Sequence, residues 1–201
     1  MTPNGADAND YAEAGLRPGI DPRFEATFTL GNRMARILWS VAWTVLAGWT
    51  PRPLHGWRSL VLRLFGARVG AGAHIYPGVK VWAPWNLNIG ARAGIADGVT
   101  LYSMAAITIG ADAVLSQGAH LCAGTHDYSD PLFRLVARPI TIGALSWICA
   151  EAFVGPGVTV GEGAVLGARA VAFRDLAPWT IHAGNPAVFI KPRVLRASEL
   201  T

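Results

Sequence analysis

From residue 69 onward, aliphatic side chains return at every sixth position. Val69, Ile75, Val81 and Leu87 open the series; the phase slips by two, and Ile89, Ile95, Leu101 and Ile107 continue it. A second slip of two leads into Ile109, Leu115 and Leu121. After an interruption the period resumes as Ile142, Ile148, Val154, Val160 and Leu166. The residue that follows is repeatedly small, as in "IGARAG", "VGEGAV" and "LGARAV". Such a period fits neither the roughly 3.6-residue turn of a helix nor the alternation of an ordinary strand. It predicts a triangular solenoid with one hexapeptide per side, an aliphatic pointing inward and a small residue turning each corner. Stacked coils then bury one another's aliphatics, so each repeat is stable only through its neighbours.

The flanks follow other patterns. Ile37 to Trp49, "ILWSVAWTVLAGW", carries no charge and lies between Arg36 and Arg52. As a helix it would reach about 20 Å, against roughly 30 Å of membrane hydrocarbon, so it should not span. Pro51-Arg52-Pro53 breaks it, and a second helix is expected with Trp57, Val61, Leu64 and Phe65 on one face and Arg58 and Arg63 elsewhere. The tail "NPAVFIKPRVLRASEL" suggests a short helix from Pro186 that closes the open end of the prism. The expected layout is an arm with two short apolar helices over 1–68, a solenoid over 69–185 with a loop at 127–140, and a terminal helix over 186–201. Residues 1–25 have little to pack with, and their polar, acidic start does not look like a cleavable signal.

Composition sharpens this in two ways. The 201-residue chain has a net charge of +4, yet residues 26–96 contain no acid while Arg33, Arg36, Arg52, Arg58, Arg63, Arg68, Lys80 and Arg92 all fall there. That bias suits an anionic partner such as a membrane surface, polyphosphate or nucleic acid. The two cysteines, Cys122 and Cys149, suggest no disulfide framework and fit a reduced, cytoplasmic chain.

The polar interruption "LCAGTHDYSD" holds the candidate chemistry. His126 closes the hexapeptide that begins at Leu121, where a loop leaves the coil, and functional residues gather on such loops. A histidine there can act as a general base, ligate a metal, or cap the turn. Spacing alone leaves base and cap equally open. His74, His120 and His126 share the sixth hexapeptide position, which raises a three-histidine zinc site, but His120 and His126 then fall at successive corners. Asp127, Asp130 and Glu151 could each orient an imidazole.

In order along the chain, "APWNLNIG", "LSQGAHLCAGTHDYSDPLF", "PITIG", "WICAEAFVGPGVTVGEGAVLGARAV" and "AGNPAVFIKPR" resemble the hexapeptide-repeat acyltransferases over residues 55–195. Within that superfamily the likeness runs to acetyltransferases of colanic acid and other exopolysaccharide biosynthesis, relatives of maltose and galactoside O-acetyltransferases. The resemblance implies an all-β, left-handed parallel β-helix, a homotrimer, acetyl-CoA as cosubstrate, no metal and no nucleic-acid partner. It assigns His126 as the base. It places Trp147, Ala150, Gly155, Gly167, Ala168 and Arg174 along the coenzyme groove between neighbouring prisms. Arg174 in "FRD" stands where relatives carry lysine, which keeps the charge. Ser103 stands where relatives carry Asp or Asn facing the acceptor, so acceptor contacts differ here. The implied reaction is O-acetylation of a saccharide, including a lipid-linked one, by a cytoplasmic enzyme that can rest on the inner face of the membrane. Two other readings compete: a zinc hydrase of the γ-carbonic anhydrase kind and a non-catalytic trimeric scaffold.

Overall fold

The aliphatic period becomes three ladders of parallel strands. The computed structural model describes residues 17, 21, 22 and 25–195. Val69, Ile89, Ile109, Ile142 and Val160 stack in register on the first face of a prism. Ile75, Ile95, Leu115, Ile148 and Leu166 stack on the second. The third holds Val81, Leu101, Leu121, Val154 and Ala172. Most of these side chains are fully buried and form one continuous core. Each strand that carries one of these residues is only two or three residues long because a corner follows almost at once.

One corner shows why small residues are obligatory. A Cβ on Gly110 would lie 2.4 Å from the backbone nitrogen of Ala144 in the next coil, and Gly70, Gly90, Gly143 and Gly161 meet their neighbours in the same way. Two residues beyond, Arg92, Asp112 and Leu145 adopt left-handed backbone angles of 56–59°. The chain thus turns within a few residues and lets coils stack at strand spacing.

Both phase slips have a common origin. The inward residues repeat after 20 positions from Val69 to Ile89 and from Ile89 to Ile109, but after 18 from Ile142 to Val160. The additional residues sit at the corner between the third and first faces, as a short 3-10 turn at Pro84–Asn86 and as the bend at 103–106. In the third coil the same corner expands into the interruption around His126.

The arm forms two helices, α1 (Leu30–Leu46) and α2 (His55–Leu64). The first starts earlier than the uncharged run implied, because the Thr29 side chain accepts from the backbone N–H of Asn32 at 3.3 Å and caps it there. Trp39 is buried against the first coil and donates its indole N–H to the Val81 carbonyl at 2.8 Å. In α2 the buried positions are Arg58, Ser59, Val61 and Leu62, whereas Trp57 and Leu64 are exposed. The face expected from apolarity is therefore rotated, because Arg58 is drawn inward by backbone carbonyls. Its guanidinium donates to the carbonyls of Ile75, Pro51 and Arg52 and to the Thr50 hydroxyl.

The tail corrects a second expectation. Val188–Pro192 is a strand, not a helix, and pairs antiparallel with Thr180–Ala183 at the edge of the second face. Pro192 would interrupt a helix begun at Pro186, and Val188, Phe189 and Ile190 favour an extended chain. As a strand the segment also satisfies backbone groups that the sheet edge would leave open. Residues 196–201 of the expected helix, and most of 1–25, lie outside the described residues.

Candidate active site

The excursion that carries His126 is a hairpin with little free loop. Gly124–His126 pairs antiparallel with Leu135–Ala137, His126 opposite Leu135. Glycine lets the hairpin leave the corner without displacing buried Met104, whose sulfur would lie 2.3 Å from a Cβ on Gly124. Beyond His126 the tip is folded on itself by its own acids. Asp127 accepts from the N–H and hydroxyl of Ser129 at 2.9 and 2.5 Å. Asp130 accepts from the Leu132 N–H at 3.0 Å and pairs with Arg134. These bonds hold both carboxyls below the ordinary carboxylate range, Ser129 acting on Asp127 and Arg134 on Asp130.

This tip delivers Phe133 to the imidazole. Phe133 has a left-handed φ of 50°, and its ring stacks on that of His126 with centroids 4.5 Å apart and planes 9° from parallel. Its carbonyl oxygen lies 2.8 Å from His126 Nδ1. A carbonyl can only accept, so Nδ1 carries a proton, and in the neutral imidazole the lone pair then resides on Nε2. The imidazole is exposed, leaving that lone pair available to a ligand.

The three acids expected to orient the imidazole do not reach it. Asp127 and Asp130 are spent on the turn, and Glu151 sits at another corner, bonded to Arg169 at 2.6 Å, which lowers its pKa. Ser103 is fully buried: its hydroxyl donates to the Ala83 carbonyl at 2.8 Å and accepts from the Ala83 N–H at 3.0 Å, so it joins two coils and does not face an acceptor. His74 and His120 lie within strands of two different faces, not at corners. His74 stacks on His55, and burial against its surroundings, which include Phe153, lowers the pKa of His120. Among the described residues no group of three or more His, Cys, Asp or Glu could hold a metal ion.

The expected coenzyme residues fall on two edges of the prism. Trp147 projects from the second face with its indole N–H on the Ser116 hydroxyl at 2.8 Å. Ala150, Gly167 and Ala168 follow it at the next corner, between the second and third faces. Gly155 and Arg174 lie at the corner after the third face, on the side from which the His126 hairpin projects in the coil below. A single prism therefore does not bring all six together. Phe133 was not among the expected residues. It is one of two aromatics within "DYSDPLF", and nothing in that stretch distinguishes it from Tyr128, because neither its backbone angle nor its stacking is encoded locally.

No protein-family model matches the chain. The chain is 43% identical over 167 residues to WcaF of Escherichia coli K12, named for an acetyltransferase of colanic acid biosynthesis; the match covers 83% of this chain and 92% of that one. Among solved structures, a hexapeptide-repeat acetyltransferase of Vibrio cholerae in complex with acetyl-CoA superposes with a TM-score of 0.76 at 19% identity, over 90% of this chain and 97% of the other. A galactoside acetyltransferase in complex with coenzyme A gives 0.75 at 25% identity, over 82% and 85%. The prism is thus the left-handed parallel β-helix of these proteins. With its coil and its identity to WcaF over most of both chains, the chain belongs to the hexapeptide-repeat acetyltransferases related to colanic acid biosynthesis.

Proposed function

We propose that the protein is a homotrimeric, acetyl-CoA-dependent O-acetyltransferase whose acceptor is a sugar hydroxyl, free or lipid-linked, used in exopolysaccharide assembly at the inner face of the membrane. The observation that carries this reading is the 2.8 Å contact between His126 Nδ1 and the Phe133 carbonyl, which directs the other ring nitrogen, Nε2, away from the hairpin's own bonds. Nε2 takes the proton of the acceptor hydroxyl as its oxygen adds to the thioester carbonyl, a step suited to a neutral imidazole. When the carbon–sulfur bond breaks, the imidazolium returns that proton to the departing thiolate, leaving an acetyl ester and coenzyme A. His126 starts the next cycle unchanged, and no covalent acyl-enzyme or metal is required by the balance.

Trimer formation supplies the donor groove in this proposal. The edge with Trp147, Ala150, Gly167 and Ala168 on one prism faces the edge with Gly155 and Arg174 on its neighbour. Small residues admit the pantetheine chain close to backbone, and the exposed Arg174 offers a cation to the phosphates. Acceptor contacts come from the hairpin, where Tyr128 is 86% exposed beside the base.

The test is His126→Ala in the folded trimer, assayed with acetyl-CoA and a panel of sugars and lipid-linked oligosaccharides by mass spectrometry. Acetyl transfer should fall by about 10²- to 10⁴-fold while coenzyme affinity stays within about two-fold. Retention of more than a tenth of the wild-type kcat removes His126 from the role. Stoichiometric zinc whose removal abolishes activity would instead favour a hydrase, and a trimer that fails to bind coenzyme A would favour a scaffold.

A further inference from the structure

Helix α1 uses only one of its faces to cap the prism. Trp39 and Trp43 turn inward, toward Val81 and Phe65. On the opposite side Leu30, Met34, Ile37, Leu38, Val41 and Val45 follow one another at helical spacing and are each 58–71% exposed. A stripe of this length on a surface helix is a docking face, not scattered exposure.

Two tryptophans extend it. The indole N–H of Trp49 donates to the Val45 carbonyl and that of Trp57 to the Leu46 carbonyl, both at 2.6 Å, closing the C-terminus of α1. Trp49 stays 72% exposed at that end and Trp57 43%. An indole with its polar edge satisfied and its ring outward suits the boundary between water and acyl chains. Arg33, Arg63 and Arg68 are exposed around the arm, within the stretch 26–96 that contains no acid.

We infer that this face is a docking surface for an anionic lipid bilayer, with α1 lying in the plane of the headgroups. Charge complementarity chooses the occupant: a second copy would present the same acid-free, cationic arm, whereas anionic headgroups neutralise it. Geometry sets the mode. The 17-residue helix covers about 25 Å, short of the roughly 30 Å hydrocarbon layer, and its inner side is held by the prism. It therefore inserts its outer stripe to the depth of the headgroup–acyl boundary and does not cross. Binding needs neither His126 nor acetyl-CoA, so it stands or falls separately from the proposed chemistry.

Flotation of the full-length protein with neutral phosphatidylcholine vesicles, and with vesicles containing about a third phosphatidylglycerol, tests this. Wild type should bind the anionic vesicles at least about ten-fold more tightly at low salt, since each basic residue near the surface is worth about five-fold, and the preference should shrink in high salt. Leu38→Asp with Val41→Asp should lose about ten-fold or more of that binding, because two exposed apolar side chains become charged. The same double variant should keep the elution volume and thermal midpoint of wild type, since neither side chain packs on the prism. His126→Ala should bind vesicles as wild type does. Equal, negligible binding to both vesicle types, or a double variant that binds like wild type, overturns the proposal. So does a concentration-dependent higher assembly of wild type that the double variant abolishes while neither protein floats with vesicles, which would make the occupant a second copy.

Discussion

Replacing Arg58 should loosen the arm from the prism, and the size of the effect follows from its partners. Its guanidinium is fully buried without a directly bonded carboxylate, and that burial holds its pKa below the ordinary value. It donates to the Ile75 carbonyl at 2.5 Å, the Thr50 hydroxyl at 2.8 Å, the Pro51 carbonyl at 3.0 Å, and the Arg52 carbonyl. Some of these acceptors have a second donor: His55 Nδ1 lies 2.9 Å from the Ile75 oxygen, and the Leu54 N–H donates to that of Pro51. Thr50 has already given its hydroxyl hydrogen to Ala47, so its lone pairs depend on Arg58, as does the Arg52 carbonyl. In Arg58→Met those two acceptors lose their donor at about 1–3 kcal/mol each, while relief from burying a cation returns part of the loss. The net expectation is a loss of about 2 kcal/mol. Arg58→Ala adds the cavity of the missing stem and should lose about 3–5 kcal/mol. Urea unfolding followed by tryptophan fluorescence and by far-UV circular dichroism checks both variants, with limited proteolysis to show that cleavage begins in the arm. An Arg58→Met protein as stable as wild type would mean that desolvation cancels the bonds. The carbonyl cluster would then not be what secures the arm.

Phe133→Ala should lower kcat by about 2- to 13-fold with little change in KM for acetyl-CoA, the full value of the stacked pair at about 0.5–1.5 kcal/mol. Phe133→Tyr should restore the rate, and a tyrosine variant as slow as alanine would show that the ring does not position His126. Gly110→Ala forces a Cβ to within 2.4 Å of the next coil's backbone and should cost about 3 kcal/mol in thermal or urea unfolding. Gly94→Ala, with nothing within 4 Å of the added carbon, is its control and should stay within about 0.5 kcal/mol of wild type.

The solenoid was legible along the chain because its core is periodic. Ile89, Ile95 and Leu101 each fill the same kind of inward position, so local spacing carries the fold, and even the two phase slips reported real additions at one corner. The departure from the coil was legible for a similar reason, as the point where "LCAGTHDYSD" breaks the period, but it was expected as a loop and pairs as a hairpin. Its histidine could be found that way, but its partner could not. The Phe133 carbonyl reaches His126 only once Asp127 and Asp130 have folded the tip, and the acids that seemed suited to the imidazole are consumed in doing so.

Elsewhere the tertiary structure decided. Ser103 occupies a repeat position that spacing cannot distinguish from a surface one, and only the stacking of Ala83 above it buries the hydroxyl. In the tail Val188, Phe189, Ile190 and Pro192 already disfavour a helix, but only the open sheet edge beside it decides that the segment pairs as a strand. Apolarity placed Trp57 and Leu64 inward in α2, whereas the Ile75 carbonyl of the first coil and the Pro51 and Arg52 carbonyls of the linker draw Arg58 there instead. In each case the sequence determined what repeats, because a repeat needs only its own spacing. The structure decided what depends on a partner brought from elsewhere in the chain, because such a partner leaves no mark on the local pattern.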